Sequence, residues 1–476
     1  MTSYLWKCFD LKGRRVAWAD LLHSKKHPFF LDSGRNDPGR GRYSFMGFDP
    51  FDVFIHQGAD TLDLLQARFY RCAGRDPKGW AAPFSPLTSG IVGCLGYDYG
   101  LRQEKIKSSV RDELNLPDAY FGFYDGTITI DHFAQKLYIT SSGLPEQDPS
   151  RREKKASSRL EELAAEVEAH IEDIPRGKKY FSWGEKNMAV GLKSNFRKEE
   201  YIRAVEKALE HIACGDIYQV NLSQRFECDL PGKACDLLEL YGALRDLSPA
   251  PFGGYMDAGD FQLISNSPER FLQKRGGLVR TRPMKGTRPR AQDPREDAKM
   301  RQEISQSPKE KAELLMITDL LRNDLGRVCA YGSVRVEEMR TIEEYEYVFQ
   351  ATSTVEGLLE KDKDAFDLLR ACFPGGSITG CPKIRAMEII EDLEPARRGM
   401  YTGSMGYINF DGGMDLNILI RTLLARRGKI YFHVGSGIVA DSDPEKEYEE
   451  TMVKARSLRA ALGSILCRPA VIVGVS

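Results

Sequence analysis

A chain of 476 residues, 42% hydrophobic and 29% charged, is long enough for a large core and has the balance of a soluble globular protein. Its formal net charge of −1 offers no global field to nucleic acid or to an anionic membrane. No nucleic-acid or membrane partner is therefore expected, and an anionic small molecule would need a local cationic pocket.

The ten cysteines include no Cys-x-x-Cys pair and read as reduced thiols of a cytoplasmic protein. His23 and His27 stand four apart, but Lys25 and Lys26 between them would repel a metal. Lys7 and Asp10 interrupt the N-terminus, so no secretory signal is expected. Phe29–Gly34 reads as a strand entering a turn, and Arg42–Phe48 as a second strand. Gly90–Tyr97 is glycine-dense and apolar, a strand that another backbone approaches closely. Tyr120–Tyr124 and Thr127–Ile130 flank Asp125-Gly126, which predicts a hairpin. Ser150–Glu172 is a charged helix with Leu160, Leu163, Ala164 and Val167 on one face, and Asp173–Asn187 reads as a linker, with a boundary near residue 185. Arg197–Cys214 is an amphipathic helix ended by Gly215, followed by a strand over Ile217–Gln224. Gly403–Phe410, Met414–Leu424 and Lys429–Val439 predict a β-meander, and the last apolar run, Ala470–Val475, is too short to span a bilayer.

The most unusual stretch is Arg280–Arg290. It packs five cationic side chains into eleven residues, with Pro283 and Gly286 breaking any regular element. Lys285, beside Met284 and among like charges, should have a lowered pKa from desolvation and repulsion, and a neutral amine is a nucleophile. A solvated basic loop is the plainer alternative. Ser307-Pro308-Lys309-Glu310 predicts a capping box with proline at the first helical position. Glu313 lies one turn deeper, before the apolar Leu314–Ile317; it is either a face residue or a carboxylate in need of a partner such as a metal. Asp443-Pro444 opens another helix, in which Glu447 and Glu450 share a face. With Glu313 they could form an oxygen-only site for Mg²⁺. Phe373–Lys383 is a glycine-rich turn feeding a helix near Pro382, but Cys381-Pro382 follows Gly380, so it is not a nucleotide loop. The free amides of that helix start make the turn a candidate carboxylate or hydroxyl site, with Ser377 and Thr379 as candidate substrate-binding residues; a plain helix entry is the alternative. Cys94 followed by His170-Ile171-Glu172 imitates an amidotransferase order, but Val92 stands where a nucleophile elbow needs glycine. We read it as coincidence, so the chain has no glutaminase of its own.

Together these motifs resemble the chorismate-binding enzymes, among them anthranilate, aminodeoxychorismate, isochorismate and salicylate synthases. The resemblance is carried by Asp216–Leu222, Ser267–Phe271, Asp319–Asp324, the Gly375–Lys383 turn and Gly435–Val439. It implies an α+β fold with two stacked antiparallel β-sheets flanked by helices, an N-terminal region over 1–185 like that of anthranilate synthase component I, and a catalytic region over 186–465. It implies Mg²⁺ near Glu313, Glu447 and Glu450, with Arg421, Tyr407, Lys454 and the amides near Gly435 and Gly437 holding carboxylates. Glu269 would protonate the departing C4 hydroxyl. Water-using members carry a lysine where this chain has Gln219, which cannot activate water. Lys285 stands where anthranilate synthases carry alanine, and resembles the lysine of aminodeoxychorismate synthase component I. The implied reaction is amination of chorismate at C4 through a Lys285 adduct, with ammonia from a separate glutamine amidotransferase subunit. The alternative is anthranilate synthase component I, which releases pyruvate. Gln350 replaces a histidine common in the family, and the region around Ser33 can hold tryptophan in family members.

Overall fold

The computed structural model describes residues 4–34, 41–74, 80, 82–173, 191–230, 236–344 and 348–466. Nearly all of the expected linker and the terminal apolar run lie outside them. Two large sheets dominate, one of twelve strands and one of ten among the described residues. Every recorded strand pairing is antiparallel. Residues on either side of position 185 share both sheets: Phe29–Asp32 pairs with Phe252–Asp257 in the first, and Gly90–Leu95 with Ser404–Asn409 in the second.

Successive side chains of a strand point to opposite faces, and here both faces are apolar. Phe29, Phe45, Leu263 and Leu424 meet Val92, Tyr120 and Met405 of the second sheet between the layers. Their neighbours Phe30, Met46, Ile264 and Leu423 turn outward onto helices Pro149–Ala169, Leu237–Leu247 and Arg456–Leu466. Helices Thr61–Ala73 and Ala365–Cys372 cover the other face of the second sheet. This layering explains apolar runs such as Phe29-Phe30, where a half-solvated strand would alternate. Each such side chain contributes about 1.5–3 kcal/mol of burial. As expected, glycines admit a close neighbour: a Cβ on Gly93 would overlap Tyr120 O, and one on Gly90 would overlap Ile408 O.

Two expectations from the sequence fail at the same kind of place. Asp125-Gly126 makes no hairpin: Ala119–Tyr124 belongs to the second sheet and Gly126–Asp131 to the first. Neither residue takes the positive φ that a type I′ turn requires. Asp125 is a corner, with its carbonyl accepting from the Ser142 amide and the Ser89 and Ser142 hydroxyls. The expected strand Met414–Leu424 is likewise divided, Met414–Asn417 lying in the second sheet and Thr422–Arg426 in the first. Among the described residues no helix is long and apolar enough to cross a membrane.

Candidate active site

The corner between Asn417 and Thr422 lies against another. Strand Gln262–Ser267 belongs to the first sheet and Arg270–Arg275 to the second, so Ser267-Pro268-Glu269 also passes between layers. The corners are stitched together by Ile418 N donating to Glu269 O (3.1 Å), Ser267 Oγ to Ile418 O (2.6 Å) and Asn266 N to Arg421 O (3.1 Å). Arg421 takes a φ of +50°, uncommon for a residue with a Cβ. The crossings thus tie the backbone of Glu269 to Ile418 and that of Arg421 to Asn266.

Glu269 is 5% exposed, and Oε1 accepts a 2.6 Å hydrogen bond from Ser377 Oγ. Burial pushes its carboxyl up to about 7, against the opposing pull of Ser377, Lys285 and Lys454. A carboxylic acid in that range can donate a proton at neutral pH. Thr379 Oγ1 turns instead to Gly375 O, at 3.0 Å, and closes the turn.

The cationic stretch is divided at Pro283 into strands Leu278–Arg282 and Met284–Pro289, yet both pair with the same strand, Val348–Leu358. Thr281 pairs with Val355, Met284 with Thr352 and Lys285 with Ala351. The register therefore runs through Pro283 and shifts only at Gly286, where a bulge with φ +77° follows Lys285. The four arginines are each held by a carboxylate: Arg280 by Glu356, Arg282 by Glu343, Arg288 by Glu310 and Arg290 by Asp297. Lys285 forms no ion pair of this kind among the described residues. Its pKa is lowered, chiefly by burial, with Glu313 opposing and Lys454 assisting. The arginines expected to repel it are neutralised, so desolvation carries the effect.

Strand Gln219–Asp229 pairs with Lys429–Ile438, setting Asn221 opposite Gly437 and Ser223 opposite Gly435. Beyond Tyr431 the other edge of Lys429–Ile438 has no strand partner among the described residues, so this edge is open where the two glycines stand. A Cβ on Gly437 would lie 3.0 Å from Lys285 Nζ and 3.3 Å from Gln219 Nε2. Gln219 is fully buried, yet neither its Nε2 nor its Oε1 has a partner. Such a carboxamide is costly unless a ligand completes it. Lys454 Nζ donates to Gly435 O (2.8 Å) and pairs with Glu450 Oε1 (2.7 Å).

The carboxylates are brought near one another from two helices, Pro308–Gly326 and Pro444–Lys454. Glu447 is buried and accepts from Ser442 Oγ at 2.7 Å. Lys309 Nζ stands 3.9 Å from both Glu313 Oε1 and Glu447 Oε1. Burial raises Glu313, and Glu450 and Glu447 raise it further against Lys285 and Lys309. Burial would raise Glu450 too, but Lys454 outweighs it and the net direction is down. Among the described residues no group of three or more acidic, histidine or cysteine side chains forms a closed ligand set. The donors still suit a hard divalent cation: they are oxygens, and two converge on a positive charge, the Lys309 ammonium. The expected capping box is half formed. Ser307 Oγ accepts from Glu310 N, but the Ser307 amide already closes the preceding helix on Glu303 O, and Glu310 turns to Arg288.

Tyr407 does not join this group. It lines a separate cavity of about 200 Å³ with Asp32, Tyr43, Phe45, Arg270 and Arg275, beside Ser33. Strand alternation decides this, since Tyr407 packs on Phe45 in the layer between the sheets. The tyrosine found in the site is Tyr401, whose hydroxyl would lie 3.0 Å from a Cβ on Gly435. Its ring stacks on His433 at 4.8 Å, and buried Arg398, paired with Glu394 at 2.7 Å, also holds Asn221 O and Ile378 O. Tyr401 follows Arg398-Gly399-Met400 in an irregular segment, so no periodicity marks it. Gln350 is buried beside Thr287, with Oε1 unpartnered. Cys94 lies in the core with its thiol pushed up to about 12 by burial, the reverse of an activated nucleophile.

The family described as chorismate binding enzyme matches residues 26–460. Aminodeoxychorismate synthase component 1 of Bacillus subtilis is 36% identical over 461 residues, covering 93% of each chain. Anthranilate synthase component 1 of Thermus thermophilus is 40% identical, covering 95% of this chain and 96% of its own. The crystal structure of anthranilate synthase component I from Streptococcus pneumoniae superposes with a TM-score of 0.74 at 30% identity, covering 89% of this chain and 93% of that one.

Proposed function

Because this chain belongs to the chorismate-binding enzyme family, we propose that it aminates chorismate at C4 with ammonia, giving 4-amino-4-deoxychorismate for 4-aminobenzoate and folate synthesis. The observation that carries this reading is the contrast within Arg280–Arg290: every arginine is spent on a carboxylate, while Lys285 alone reaches over Gly437 beside the unpartnered Gln219 amide.

In this reading the neutral Lys285 amine forms a bond to C2, both conjugated ring double bonds shift by one position toward C4, and the C4–oxygen bond breaks. Glu269 gives the departing oxygen its proton, so water leaves. Ammonia then adds at C4, both double bonds return to their first positions, the C2–lysine bond breaks, and the surplus proton restores Glu269. The Gln219 carboxamide holds no base that would activate water, which leaves ammonia as the nucleophile. Arg421, Tyr401, Lys454 and the open strand edge at Gly435 and Gly437 anchor the substrate's carboxylates. Mg²⁺ held by Glu313, Glu447 and Glu450 would supply positive charge to the ring carboxylate. A separate glutamine amidotransferase subunit would supply the ammonia. The cavity beside Ser33 has the mixed aromatic and charged lining that tryptophan would need, although Asp32 is already engaged by Arg245 and Tyr241.

The second reading is amination at C2 with loss of pyruvate. It is favoured by the relatives' similar identities, 36% and 40%. Gln350, without a titratable ring, fits an enzyme that keeps its enolpyruvyl group. Product analysis separates the two. Incubation with chorismate, Mg²⁺ and ammonium should give 4-amino-4-deoxychorismate without pyruvate, and glutamine should not replace ammonium for the single chain. Anthranilate with stoichiometric pyruvate would overturn the proposal.

A further inference from the structure

Lys309 is used by nothing in that mechanism, yet it stands beside two of its carboxylates. It lies one turn before Glu313 on helix Pro308–Gly326, and its ammonium is 3.9 Å from Glu313 Oε1 and 3.9 Å from Glu447 Oε1 of the other helix. Two carboxylates pointing at one place repel each other unless a positive charge lies between them. The contacts are loose: 3.9 Å is the outer limit of an ion pair, and neither carboxylate hydrogen-bonds the ammonium. Glu447 Oε1 is fixed independently by Ser442 Oγ at 2.7 Å, so its direction does not depend on Lys309. The lysine side chain is 46% exposed and can swing into water without disturbing the core.

A divalent ion needs these oxygens at about 2.1 Å and leaves no room for an ammonium on the same atoms. We infer that Lys309 competes with the divalent cation for Glu313 and Glu447, so that the ion binds by displacing it. The lysine offsets the repulsion between the two acids and lowers the affinity of the bare site. Tight metal binding is thereby left to depend on the extra oxygens of a bound substrate. This inference rests on the metal reading of the proposed function, and the test separates the two.

Calorimetric titration of chelator-treated protein with Mg²⁺, without substrate, measures the site directly. Lys309→Met should bind Mg²⁺ about tenfold more tightly than wild type, a modest factor because water screens a half-exposed ammonium. Lys309→Arg, which keeps the charge, should stay within about twofold of wild type. Without metal the methionine variant should melt lower, since Glu313 and Glu447 then lose the cation that stands near both, and saturating Mg²⁺ should remove the difference. Unchanged or weaker binding by Lys309→Met would overturn the inference while leaving the site standing. Absence of Mg²⁺ binding in every variant, with and without chorismate, would instead overturn the metal reading itself.

Discussion

Glu269→Gln tests whether the corner between the sheets holds a protonated acid. The carboxyl is raised by burial from 4.5 to about 7. The folded protein therefore binds this proton more tightly than the unfolded chain does. Its stabilising contribution is complete below pH 4.5 and is lost as pH rises through about 7. At about 1.4 kcal/mol per pH unit, the gap corresponds to roughly 3 kcal/mol. Glutamine keeps the shape and can still accept from Ser377 Oγ, but cannot titrate. Denaturant unfolding of wild type and variant from pH 5 to pH 8.5 gives the difference between the two proteins at each pH. That difference should shift by roughly 3 kcal/mol against wild type across this range. Asp98, also raised to about 7 by burial, titrates in the same window in both proteins and cancels. A difference that is flat above pH 5 would refute the reasoning, because Glu269 would then be an ordinary carboxylate, ionised throughout and unable to act as the acid. The wild-type turnover number should fall over the same rise in pH.

Lys285→Ala should lower kcat by at least about 10²-fold in the ammonia-dependent assay, and Lys285→Arg should fare no better, because a guanidinium stays protonated. Near-full activity in the arginine variant would make Lys285 a fixed charge and remove the adduct. Gly437→Ala should fold normally, as its backbone does not need glycine and the added Cβ meets only the flexible ends of Lys285 and Gln219. It should raise the KM for chorismate, since the methyl group takes up the floor between those two side chains. An unchanged KM would place the substrate elsewhere.

The sequence by itself determined most of the elements and which residues became candidates for chemistry. Helices Lys198–Ala213 and Pro444–Lys454 were legible because a 3.6-residue stripe and a proline-bearing cap are local signals. Lys285 and Glu313 stood out because each is a residue type that needs a reason to stand where it does, whereas Glu269 was singled out only by the resemblance to a family. What the sequence could not decide was where the chain passes from one sheet to the other. Asp125-Gly126 and Ile418–Arg421 look locally like a hairpin turn and a strand interior. They become corners because both sheets have two apolar faces, and burying all four requires two stacked layers joined by crossing segments. Tyr407 and Tyr401 differ for the same reason. They are six positions apart on one segment, but strand alternation turns Tyr407 into the layer between the sheets, while the irregular chain before that strand delivers Tyr401 to Gly435. The pairing of each arginine in Arg280–Arg290, which leaves Lys285 alone, is likewise tertiary. Asp297 lies on the helix that follows Arg290, but Glu310, Glu343 and Glu356 come from a helix and strands farther along the chain, and only their packing decides which cations are spent.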